Sequence, residues 1–294
     1  MGRYAMTTTI ITMHPVPLPA PGRGDDLQVR ISAPATDGDL PVVIFSHGFG
    51  ESAIGYAPLA DHWAANGFAV IQPTHLDSRR LGLPQDDPRT PDIWRTRIDD
   101  VTRVLDQLDT LETLIPGRLD RTRIAVAGHS WGAQTVSVLL GAGVVGMDVP
   151  ERDARISAGV LFALTGTGGE NLSPFAAEHF PFMHPDFTGM TTPALIVAGD
   201  KDQSFLSVRG PEWFTEAYHL SPAPKSLLTL YGAEHSLGGI TGYRVTETTD
   251  ENPERVALIQ RVTTAYLRQA LDLPADAPAD GELGDLGRLE SKRD

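Results

Sequence analysis

The pentapeptide Gly128-His129-Ser130-Trp131-Gly132 follows the run Arg123-Ile124-Ala125-Val126 and precedes an Ala/Val/Leu-rich segment, 133–140. The first run reads as a buried strand and the last segment as a helix, so the chain must reverse within a very tight turn whose apex is Ser130. Glycines at 128 and 132 omit side chains where strand and helix pass close together. A turn this sharp pushes the serine hydroxyl clear of the backbone, where a base can reach it. The same unit constrains the fold, because a strand that feeds directly into a covering helix belongs to a sheet with helices on its faces.

The remainder of the chain repeats that alternation. Residues 8–16 and 27–32 read as two edge strands separated by a Pro/Gly-rich turn, 17–24. The continuous apolar run 41–46 has the pattern of a strand buried on both faces, and 68–72 is the next. Between them, 57–66 forms a short amphipathic helix stopped by Gly67. After a polar loop, 73–91, the stretch 92–111 carries Ile93, Ile98, Val101, Leu105 and Leu108 on one helical face. Beyond the tight turn, 158–164, 193–198 and 226–231 read as strands, 211–219 and 253–271 as helices. The expected fold is therefore α/β: a mostly parallel central sheet of about eight strands with helices on both faces. Residues 1–273 are expected to form one domain, and 274–294, rich in Ala, Asp, Pro, Gly and Glu, a polar tail, solvated or disordered.

Charge and composition exclude several functions. The 294 residues carry a formal charge of −14 and no cysteine. A chain this acidic, without a basic cluster, does not neutralise phosphates, so nucleic acid is not an expected partner. Without cysteine there is no disulfide, thiolate metal site or cysteine nucleophile. No leader-like or membrane-spanning apolar run is legible, and a cytoplasmic location without membrane attachment is the expectation.

Three further motifs fall at strand ends, where open α/β sheets bind ligands. Ser46-His47-Gly48-Phe49-Gly50 closes the run Val42-Val43-Ile44-Phe45. Gly199-Asp200-Lys201-Asp202 follows 194–198. Gly232-Ala233-Glu234-His235 follows the last strand. A serine hydroxyl is a weak nucleophile until an imidazole takes its proton, and a carboxylate must hold that imidazole in the right tautomer. Ser130, His235 and either Asp200 or Asp202 supply those groups in the chain order Ser, Asp, His.

Together these motifs resemble the α/β-hydrolase superfamily over roughly residues 42–271. Within it, the segments 41–50, 59–74 and 92–100 are similar to small carboxylesterases related to dienelactone hydrolases, chlorophyllases, platelet-activating-factor acetylhydrolases and cutinase-like polyester hydrolases. Dienelactone hydrolases proper use a cysteine nucleophile, which this chain lacks. The resemblance implies a serine esterase working through an acyl-enzyme, with no cofactor or metal and a small-molecule or polymeric ester as substrate. It implies Asp202 as the acid, since in relatives that residue falls three positions after the glycine ending its strand, and leaves Asp200 as the second choice. It also implies an oxyanion hole from the backbone amides of Phe49 and Trp131, each such donor usually worth about two to three orders of magnitude in rate. The side chains of Phe49, Trp131 and Phe205 are candidates to line a cleft favouring apolar or aromatic acyl groups. The segment 165–192 is too short for a large helical lid, so an open cleft is expected. An amide, peptide or lactone hydrolase with the same triad, or a non-catalytic binding protein on this scaffold, is the alternative function. Oligomeric state is not legible.

Other polar residues read as structural. His129 occupies the variable position of the turn, and His47 is expected to brace the loop at 46–50 through hydrogen bonds. His75 shows no partner pattern. Arg95, Arg97, Asp99, Asp100 and Arg103 read as ion pairs along one solvated helix face. His179 and His184, with Glu178 and Asp186, match no metal-ligand spacing.

Overall fold

The computed structural model describes residues 8–84, 86–242, 249–275 and 280–293. Within them the chain forms strands β1 (Ile10–Leu18), β2 (Leu27–Pro34), β3 (Asp39–Ser46), β4 (Ala69–Pro73), β5 (Arg118–His129), a two-residue β6 (Gly143–Val144), β7 (Ile156–Phe162), a two-residue β8 (Pro185–Asp186), β9 (Ala194–Gly199), β10 (Lys225–Leu230), β11 (Gly281–Glu282) and β12 (Gly287–Lys292). Ten of these build one sheet in the order β1-β2-β4-β3-β5-β7-β9-β10-β12-β11, while β6 and β8 pair separately. From β4 through β10 every neighbouring pair is parallel. At both edges the pairing turns antiparallel.

The helices cover both faces. On one lie α2 (Ile93–Asp106) and α4 (Trp131–Leu139), and on the other α1 (Ala57–Ala65) and α7 (Pro253–Ala270). Strand β3 shows why both faces need cover. Val42 and Ile44 join the cluster under α2 and α4, whereas Val43 and Phe45 join the one under α1 and α7. Successive side chains of a strand point to opposite faces, so an unbroken apolar run is stable only when both are buried. Three short helices complete the α-helices of the described residues: α3 (Leu108–Glu112), α5 (Pro174–His179) and α6 (Glu216–Leu220). The expected helix at 92–111 is divided into α2 and α3 at Gln107.

Two expectations are corrected. Among the described residues the sheet holds ten strands rather than about eight, and the extra pair comes from the stretch read as a polar tail. Residues 287–292 run antiparallel to β10 from Leu230↔Gly287 to Lys225↔Lys292. Composition hides a short alternation, in which Gly287 and Leu289 face inward while Arg288 is exposed. Without this strand β10 would present an open edge, which a twisted sheet normally protects. In the segment 165–192 the one α-helix among the described residues is the six-residue α5, with no large cap. No helix of the described residues is long and apolar enough to cross a membrane.

Candidate active site

Strand β5 delivers Ser130 at its carboxyl end, and α4 starts at the next residue. Ser130 has φ 54° and ψ −120°, a conformation non-glycine residues rarely adopt. The flanking glycines permit it. A Cβ on Gly132 would lie 2.0 Å from the Ser46 carbonyl oxygen, and one on Gly128 would lie 2.4 Å from the Gly132 backbone. The strained apex is held by the Ser130 amide donating to the Phe162 carbonyl at 2.9 Å. Strain of this kind persists only where the surrounding structure over-determines it.

The Ser130 hydroxyl lies 2.9 Å from His235 Nε2. On the other side of the ring, Nδ1 lies 3.0 Å from each carboxylate oxygen of Asp202. Asp202 is fully buried, and burial raises its pKa against the opposing pull of His235. The His235 side chain is 40% exposed, which leaves the serine–imidazole pair open to solvent. Asp200 is engaged elsewhere, its Oδ1 accepting the Gly232 amide at 2.7 Å. Of the two candidate acids, the fold brings Asp202 to the imidazole and turns Asp200 to the loop after β10. That loop is steadied from below by Asp250, whose Oδ2 accepts the amides of Glu234 and Gly238 at 2.8 and 3.0 Å.

The loop 46–50 follows β3 and lies against the start of α4. His47 braces it as expected: its Nδ1–H donates to the Gly48 carbonyl at 2.7 Å, and its Nε2 accepts the His75 amide at 3.0 Å. Arg97, wholly buried, donates to the His47 carbonyl and to Asp77 at 2.5 Å, and Asp77 Oδ2 accepts the Gly50 amide at 2.9 Å. Gly48 donates its amide to the Tyr56 hydroxyl at 3.0 Å. The Phe49 amide thus lies between two engaged neighbours, and the Trp131 amide opens a helix, where the first N–H groups lack intrahelical partners.

Burial by itself would raise Asp77, but Arg97, His47 and His75 outweigh it and hold the carboxyl at about 2. Burial, reinforced by Arg97, pushes His47 down to about 4. His75 lies well below the ordinary imidazole range for the same two reasons. Two neutral imidazoles thus surround one buried ion pair behind the loop.

These contacts correct the reading of α2. Arg97 and Asp100 are buried rather than part of a solvated face. Asp100 pairs with Arg23 at 2.8 Å and accepts His75 Nδ1–H at 3.0 Å, while the Ser46 hydroxyl meets His75 Nε2 at 2.9 Å. The signal is present in the sequence. Positions 97 and 100 lie four and seven residues after the buried Ile93, on the spacing of the apolar stripe itself. No such spacing announces Asp77 or His75, which reach the site from a loop.

The predicted cleft aromatics are placed differently from one another. Phe49 is 59% exposed and its ring centroid lies 5.4 Å from that of Trp131. Trp131 stacks on Phe182, which stacks on Trp94. Phe205, 77% exposed, contacts Phe175, which continues through Phe180 to the same Phe182. A chain of ring contacts so connects the start of α4 to the loop after Asp202. The His179 ring stacks on that of Phe175, and its Nδ1 lies 3.0 Å from the Phe175 carbonyl. Among the described residues, no three His, Asp or Glu side chains cluster as metal ligands.

The chlorophyllase family model matches residues 1–150, just over half of the 294-residue chain. The chain belongs to the chlorophyllase family. Membership makes it an α/β-hydrolase of a family acting on esters, and chlorophyllases are among the relatives its motifs resemble. The matched stretch contains the loop 46–50 and the Ser130 turn, and ends before Asp202 and His235. No curated protein matches the chain.

Proposed function

We propose that this hydrolase is a serine carboxylesterase with Ser130 as nucleophile, His235 as general base and acid, and Asp202 as the orienting carboxylate. The observation that carries the reading is the unbroken line from the Ser130 hydroxyl through both nitrogens of His235 to buried Asp202, every step 2.9 to 3.0 Å. As Ser130 Oγ attacks an ester carbonyl, its proton passes to His235 Nε2, and Asp202 stabilises the imidazolium. The oxygen of the tetrahedral intermediate takes the negative charge and is met by the amides of Phe49 and Trp131. Collapse expels the alcohol, which leaves with the proton from His235. A water then repeats the cycle on the acyl-enzyme, releasing the carboxylic acid and the free serine.

The ring chain beginning at Phe49 and Trp131 supports an apolar acyl group as the preferred substrate part, since aromatic faces beside the reacting carbonyl reward burial of apolar surface. Hydrolysis of p-nitrophenyl esters from acetate to decanoate, by the parent and by Ser130→Ala, tests the proposal. Turnover is expected in the parent and at least about a thousandfold less in the variant, as removal of a triad nucleophile implies. A folded parent without ester turnover, or a variant that retains it, overturns the assignment.

A further inference from the structure

The residue between Gly128 and Ser130 reads from the sequence as variable and structural. Its surroundings show more. The His129 ring is buried, and its Nε2–H donates to the backbone carbonyl of His235 at 2.8 Å. Its other nitrogen, Nδ1, accepts the Tyr56 hydroxyl at 2.9 Å, and the Tyr56 oxygen in turn accepts the Gly48 amide at 3.0 Å. Every donor and acceptor along this line is used once and in one direction. Gly48 donates to Tyr56, Tyr56 donates to His129, and His129 donates to His235.

Two independent features show that the line is built rather than incidental. Tyr56 is fully buried yet has φ 60° and ψ 24°, a left-handed conformation that a bulky side chain adopts only where its surroundings hold it there. Its amide is tied to the Thr241 carbonyl at 3.1 Å, and its ring packs on Phe45 at 4.6 Å between centroids, so the hydroxyl has little freedom to point elsewhere. A side chain at Gly48, moreover, would crowd the line: a Cβ there would lie 3.0 Å from the Tyr56 hydroxyl and 3.2 Å from His129 Nδ1, closer than such contacts ordinarily come. The glycine lets the loop approach the strut closely enough to bond it.

We propose that Tyr56 and His129 form a positioning strut that holds the loop bearing the Phe49 amide and the loop bearing His235 in fixed register. This inference rests on the esterase reading above, which gives those two loops their roles. The hydroxyl of Tyr56 sets the tautomer of His129. With a donor at Nδ1, the proton of the neutral ring must sit on Nε2, where it is needed for the His235 carbonyl. Burial, and then the nearby His235, pushes the His129 pKa down to about 3, so the strut carries no charge while His235 gains one. Remove the hydroxyl and Gly48 loses its acceptor, while His129 is free to take the Nδ1–H form, which turns a lone pair toward the His235 carbonyl. The oxyanion donor and the base then lose their common reference.

The test is Tyr56→Phe, which deletes one oxygen and keeps the ring, alongside His129→Gln and the double variant. Turnover and affinity for phenylboronic acid, a tetrahedral mimic captured by serine, are measured together. The expected result is a fall of roughly 10- to 100-fold in kcat and in boronate affinity, as for a donor displaced from its ideal position, with KM within about twofold. The two single losses are expected not to add, because either change breaks the same line. Nitrogen-15 NMR of the parent imidazoles reads the His129 tautomer directly and needs neither a variant nor turnover. An Nδ1–H form there, or a folded Tyr56→Phe with unchanged kcat and boronate affinity, overturns the strut. A parent without Ser130-dependent turnover overturns the esterase reading instead.

Discussion

His235 presents Nδ1 to both oxygens of Asp202 at equal range, whereas Asp200, two residues earlier, is occupied by the Gly232 amide. That difference separates two carboxylates that stand in almost the same place in the chain. Asp202→Asn is expected to lower kcat by roughly 10⁴-fold, since an amide at this position favours the wrong imidazole tautomer. Asp200→Asn is expected to leave kcat within a few-fold, because its interaction shapes a loop rather than the ring. Steady-state kinetics on one p-nitrophenyl ester checks both, and equal losses in the two variants contradict the assignment. At this scale the sequence is informative wherever chemistry demands a residue type at a strand end: Ser130, His235 and the pair Asp200 and Asp202 are all legible. Tyr56 is not. Its partners lie eight and 73 residues away, and nothing in local spacing records a hydroxyl that meets a glycine amide and a histidine nitrogen in space.

Elements are legible where a periodic pattern spans their whole length. The eight strands read from the sequence are eight of the ten described in the sheet, the central ones because strands buried on both faces cannot disguise themselves as anything polar. The last two escape because composition dominates 274–294, where Ala, Asp, Pro and Gly outweigh a brief alternation around Leu289. Helix α2 is legible in place, but one face of it is not. Charged residues at 97 and 100 suggest solvent by type, although their positions belong to the buried stripe. The buried Arg97–Asp77 and Arg23–Asp100 pairs explain the cost of that arrangement: each takes two charges out of water and is tolerable only with both members and further hydrogen bonds in place. Here the bonds go to the His47 carbonyl, the Gly50 amide and the Thr74 carbonyl, which fix loops at the carboxyl end of the sheet.

For the whole molecule, the same buried groups couple stability to acidity. Burial, the largest cause in each case, pushes His47 to about 4, His129 to about 3 and His75 well below its ordinary range. The ordinary imidazole value is about 6.5, so on acidification the unfolded chain takes up these protons before the fold does. The stability these rings contribute is fully present above about pH 6.5 and is lost as pH falls toward their folded values. Each ring is expected to cost at most about 1.4 kcal/mol per pH unit in that window. Asp100 and Asp202, raised chiefly by burial, act in the opposite sense, adding stability as pH falls through their raised folded values. Urea denaturation at about pH 7.5 and about pH 5.5, on either side of the ordinary imidazole value, therefore brackets the histidine effect, with the lower midpoint expected in acid. Equal midpoints contradict neutral, buried histidines at 47, 75 and 129.

The proposed triad requires that the fold activate one serine. Treatment of the native protein with a fluorophosphonate, followed by mass spectrometry of its peptides, tests this without any assumption about substrate. One phosphonyl group per chain is expected, on Ser130, absent from the Ser130→Ala variant and from heat-unfolded protein. A native chain that remains unlabelled, or is labelled at another residue, contradicts it.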